Sequence, residues 1–123
     1  MHIDTHEPPV YRAAYELTIA VCRFVKDCHP DYKNTLGLLL QQEALRLEAE
    51  LYRVNEAENN EQKVKAIQKV LDACYQTRMI IRLLIDLGIM KVETNIALNL
   101  KIEETAKQLA GWKKACGTGG QII

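Results

Sequence analysis

The chain has 123 residues, 48% of them hydrophobic and 26% charged, which suffices for one buried core and leaves little room for two domains. Basic and acidic side chains balance at 16 each, so no global field draws the protein to nucleic acid or membrane. The balance hides an asymmetry. The first 60 residues carry 6 basic and 10 acidic groups and the rest 10 basic and 6 acidic, so any basic face comes from the second half. Aromatics are only 6%, which favours a Leu, Ile, Val and Ala core of packed helices over a sheet.

The first helix is expected over residues 9–28. Pro8 and Pro9 stand where a first turn lacks N–H partners, and Tyr11, Ala14, Tyr15, Thr18, Cys22 and Val25 recur at helical steps. His29-Pro30 ends it. The second helix, 33–57, carries Leu36, Leu39, Leu40, Ala44, Leu47, Leu51 and Val54 on one face, with Gln41, Gln42, Glu43, Arg46, Glu50 and Arg53 on the other. Asn59 with Gln62 reads as a capping box opening a third helix, 61–87. Val64, Ile67, Val70, Leu71, Cys74, Ile81, Leu84 and Ile85 line this helix, and Gly88 caps its end. The fourth helix, 92–115, is expected to turn Ile96, Leu100, Glu103, Ala106, Leu109 and Ala110 inward, with Trp112 near its end. Residues 116–123 read as a flexible tail. Matched lengths and short connections predict an all-α fold: a single-domain, antiparallel up-down-up-down four-helix bundle over 1–123.

No phosphate loop, dinucleotide fingerprint, H-E-x-x-H or G-x-S-x-G occurs, so no enzyme, cofactor or small-molecule substrate is expected. The three histidines, His2, His6 and His29, lie outside the expected helix interiors, which prevents assembly of an E-x-x-H di-iron site. Cys28-His29 reads as a helix end rather than a metal site. Cys22, Cys28, Cys74 and Cys116 show no C-x-x-C spacing. No apolar run nears the ~20 residues of a membrane span, and the first residues lack a secretory pattern. A reduced, cytoplasmic protein with no membrane partner is expected.

Three motifs carry a resemblance. Pro30-Asp-Tyr-Lys-Asn-Thr-Leu-Gly37 resembles a P-x-x-Y-R-x-T-L-G helix junction, one residue shorter and with Lys33 where arginine is usual. Arg78-Met-Ile-Ile-Arg-Leu-Leu-Ile-Asp-Leu-Gly88 is similar to R-x-x-x-R-L-x-x-D-L-G, and Leu109-Ala-Gly-Trp112 to L-x-G-W. These patterns belong to a family of small four-helix proteins. The family includes the accessory variability determinant of diversity-generating retroelements and the proteins encoded in intervening sequences of 23S ribosomal RNA genes (S23). The resemblance spans roughly residues 11–114. It implies a homopentameric ring and, in the retroelement members, a basic surface for RNA or DNA and for the reverse transcriptase.

Arg78 and Arg82 match the motif arginines and are the first candidate contacts, with Lys33 and Lys69 completing the set. Around a ring they would concentrate positive charge that the single chain's neutrality hides. The plainer reading is an Arg82–Asp86 pair one helical turn apart and a structural oligomer with a protein partner and no role in nucleic acid binding.

Overall fold

A computed structural model describes the backbone of residues 8–119 and the side chains of residues 8–117. The histidines at positions 2 and 6 and the last four residues of the expected tail lie outside this range. Among the described residues five helices make up the fold: α1 (Pro9–Lys26), α2 (Pro30–Lys33), α3 (Leu36–Arg53), α4 (Asn60–Asp86) and α5 (Val92–Gly119), with a 3₁₀ turn at Val54–Glu56 after α3. The described residues contain no strand. α1 and α4 each pack on both α3 and α5, so four long helices enclose one core. Leu17, Val21, Leu40, Leu47, Leu51, Ile67, Ile81, Leu84, Leu98, Ile102 and Leu109 are fully enclosed there.

Expected and observed boundaries agree within two residues for α1 and α4, but the second helix is divided. Pro30 opens α2 at its first position, and His29 caps it, its Nδ1 accepting from the Asp31 N–H at 3.1 Å. The chain leaves helical geometry at Thr35 (φ −120°, ψ −103°) and re-enters it at Leu36. Close packing at Gly37 decides this corner. A Cβ there would stand 3.0 Å from the Tyr32 carbonyl oxygen, so any larger residue would force the backbone of α2 to give way by a few tenths of an ångström. The junction motif is thus a backbone device. α3 then ends in the 3₁₀ turn, short of the expected 57.

Caps at both ends of α4 follow the sequence. Asn59 Oδ1 accepts from the Gln62 N–H at 2.8 Å, while Gln62 Oε1 accepts from the Glu58 N–H at 2.9 Å, a capping box shifted back by one donor. At the other end Gly88 has φ +74°. Its N–H donates to Ile85 and the Ile89 N–H to Leu84, the paired closure of a Schellman motif. Gly88→Ala should therefore cost about 1–2 kcal/mol, visible as a lower urea midpoint with an unchanged slope.

α5 overturns one expectation. Its buried residues are Leu98, Ile102, Thr105 and Leu109, whereas Ile96 and Leu100 are 55% and 61% exposed. Glu103 and Ala110 also face outward. Two apolar stripes at helical spacing run along this helix, and the one containing the β-branched Ile102 and Thr105 goes inward. Thr105 is tolerated in the core because its hydroxyl donates to the Lys101 carbonyl at 2.8 Å. α5 also continues through Gly119, four residues past its expected end.

Tyr11 of α1, almost wholly buried, lies against Tyr52 of α3 and Trp112 of α5, with ring centroids 5.1 and 6.4 Å away. Its hydroxyl donates to the Leu51 carbonyl at 3.4 Å. No helix among the described residues is long and apolar enough to cross a membrane.

Candidate interaction surface

α4 is buried through Ile67, Val70, Cys74, Ile80, Ile81 and Leu84. Helical periodicity turns the positions between them outward. Arg78, Arg82 and Lys69 all lie on that outer side. Arg82 Nε stands 3.7 Å from Asp86 Oδ2, the two side chains being 83% and 66% exposed, so water screens the pair and leaves the guanidinium available. Arg78 forms no ion pair. Its charge acts inward instead, opposing the burial that pushes the Cys74 thiol up to about 12 and keeps it protonated and unreactive. Lys33 is exposed at the end of α2, which rests on α3; it does not share a helix with the other three candidates.

An apolar stripe runs between these cations. Tyr75, Met79, Leu83 and Leu87 follow one another at four-residue steps and are all exposed, Met79 by 55% and Leu87 by 62%. A second stripe, Val92, Ile96 and Leu100, repeats the pattern on α5. Leu100 borders a groove of about 360 Å³ between α1 and α5, lined also by Ala13, Glu16, Ala97, Lys101 and Glu104. Ala13 and Ala97 contribute only small side chains to its lining. Glu16 is held by Arg12 at 3.6 Å and Lys101 at 4.0 Å. Glu104 accepts from Gln108 Nε2 at 2.6 Å and meets no cation within 4 Å among the described residues. Sequence reading placed Ile96 and Leu100 in the core and so missed this face, although their four-residue spacing was visible.

At the end of α1 a cleft of about 470 Å³ opens against the α4–α5 connection, with Arg23, Phe24, Asp27, Ile89, Lys91 and Thr94 among its walls. Cys28 and His29 border it. Among the described residues no three His, Cys, Asp or Glu side chains are grouped to hold a metal ion.

No protein-family model matches the sequence, and no curated protein matches it. Among solved structures, the chain resembles a protein of unknown function from the S23 ribosomal protein family of Bacteroides thetaiotaomicron. The two superpose with a TM-score of 0.79 at 16% identity, over 85% of this chain and 95% of that one. The chain has an S23-like fold. Two of the three sequence motifs end at corners of this S23-like fold, and the third lies within α5. Gly37 fits under α2, Gly88 closes α4, and Leu109 and Trp112 pack α5 against the core. Gly111 has open space where a Cβ would lie, and nothing within the single chain explains it.

Proposed function

We propose that the chain is a non-enzymatic accessory protein of the S23-like family. Its helices alternate in direction as an antiparallel four-helix bundle, and each bundle is one stave of a homopentameric ring that binds nucleic acid and docks a reverse transcriptase. The observation that carries the reading is the pair of exposed apolar stripes, Tyr75–Leu87 on α4 and Val92–Leu100 on α5. A chain with 26% charged residues has polar side chains enough to cover these positions, and contiguous apolar surface marks association.

The stripes differ in sequence and lie on different helices, so they suit a head-to-tail contact between copies, the kind that closes rings. The α4 stripe of one copy would enter the α1–α5 groove of the next. The ring would carry Arg78, Arg82, Lys69 and Lys33, all exposed in the single chain, into a repeating basic surface, and arginine suits phosphate through its planar fork. The net charge of zero favours one alternative, a structural oligomer whose partner is protein alone.

RNA binding separates the two. The parent should bind RNA with affinity that falls steeply with salt. Arg78→Ala/Arg82→Ala should weaken that binding about tenfold or more, with a shallower salt slope. Equal RNA affinity in parent and variant would remove these arginines from the interface, and no binding by the parent would leave the protein-only oligomer.

A further inference from the structure

We infer that the cleft between the end of α1 and the start of α5 binds a nucleoside monophosphate, free or as the phosphorylated 5′ end of an RNA strand. Its volume of about 470 Å³ falls within the range of small-molecule sites. Three polar side chains in it have no protein partner among the described residues.

The first is Arg23. Arg12–Glu16 and Arg82–Asp86 have the same four-residue spacing as Arg23–Asp27, and both are closed, at 3.6 and 3.7 Å. Arg23 and Asp27 form no ion pair, because Asp27 is the residue on which α1 leaves helical geometry. The second is Lys91. It arrives from the α4–α5 connection and also has no carboxylate within 4 Å among the described residues. The third is Thr94, half-buried in the first turn of α5. Thr18, Thr35, Thr77 and Thr105 all donate to a backbone carbonyl of their own helix or turn. Thr94 alone among the described threonines makes no hydrogen bond through its hydroxyl.

Two cations and a free hydroxyl, supplied by two separate segments, suit a phosphate monoester, with the Arg23 fork and the Lys91 ammonium on its oxygens. An inorganic anion would leave the rest of the cleft unused. Phe24 and Ile89, half-buried and packed on the core, offer an apolar surface for a base to lie on. Asp27, an acceptor in the same cleft, suits the hydroxyls of a ribose. Phosphate, sugar and base thus each meet a matching group.

Titration of the intact chain with AMP, followed by calorimetry and by amide shifts of residues 20–28 and 88–95, tests the site. AMP should bind about tenfold more tightly than inorganic phosphate or adenosine. Arg23→Ala/Lys91→Ala should weaken AMP about tenfold or more, and Asp27→Ala, which removes the acceptor, should abolish any preference for AMP over its 2′-deoxy form. These three side chains are exposed, so the variants should keep the parent's circular dichroism; Thr94→Val gives an independent lesion in the same site. A 5′-phosphorylated oligonucleotide that binds more tightly than AMP, when its 5′-hydroxyl counterpart does not, assigns the site to a strand end. Equal binding of AMP and the phosphorylated strand assigns it to the free nucleotide. The proposal is overturned if AMP fails to saturate the protein by about 10 mM, if phosphate binds as well as AMP, or if Arg23→Ala/Lys91→Ala binds AMP like the parent.

Discussion

Met79→Asp in one preparation and Leu100→Asp in another should each leave a species near the 14.0 kDa of one chain, and mixing the two should yield dimers and nothing larger. The reasoning starts from exposure. Met79 and Leu100 are 55% and 61% open in the isolated chain, so a carboxylate at either position is hydrated and costs the monomer fold little. In a contact between the α4 stripe of one copy and the α1–α5 groove of the next, the same carboxylate would lose its water against apolar side chains. That costs several kcal/mol, enough to weaken association by about two orders of magnitude or more. Each variant loses one of its two different faces. A mixture retains one sound combination, the intact α4 stripe of the Leu100→Asp chain against the intact groove of the Met79→Asp chain. Sedimentation of the singles and the mixture reads this directly. A contact made by one self-complementary patch would give no dimers on mixing. A parent chain that sediments as a monomer at tens of micromolar would sink the ring itself.

Leu47→Ala should remove about 3 kcal/mol of stability, a large share of the roughly 5–15 kcal/mol that domains possess. Leu47 is fully enclosed in the middle of α3, which packs on both α1 and α4. Truncation there deletes buried methyl groups and leaves a cavity that neither neighbour can fill without moving its own helix. Leu45, two residues away, is half exposed, and its replacement by alanine should stay within about 0.5–1 kcal/mol. Urea unfolding of both variants is best done in the Met79→Asp background, because association makes apparent stability depend on concentration. Similar losses at the two positions would show that α3 does not present Leu47 to the core.

How much of this was legible in the sequence varied by helix. The bounds of α1 and α4 could be read directly from local signals, Pro30 for one and Asn59 and Gly88 for the other. α5 could not. Its apolar residues form two stripes of equal regularity, and periodicity alone does not say which faces the core. That choice depends on the neighbouring helices, and it placed Ile96 and Leu100 outside. The break at Thr35 was hidden for a related reason, because the constraint on Gly37 is the carbonyl of Tyr32, a contact between turns that residue types do not reveal. The candidate surface divides in the same way. Arg78 and Arg82 were found through a motif on a readable helix, whereas Arg23 and Lys91 line one cleft only once the end of α1 meets the α4–α5 connection.

The aromatic group around Tyr11 has an optical consequence. The chain holds a single tryptophan, and Trp112 takes its aromatic surroundings from α1, with Tyr52 of α3 on the far side of Tyr11. Its emission is therefore a report on α1, α3 and α5 coming together, and α4 contributes no ring to it. Far-ultraviolet dichroism, by contrast, draws heavily on α4, which spans 27 residues. The two signals weigh different parts of one molecule. Where their unfolding curves superpose, α4 leaves with the rest; where dichroism falls first, α4 has a looser hold on the fold than the three helices that share the aromatic corner.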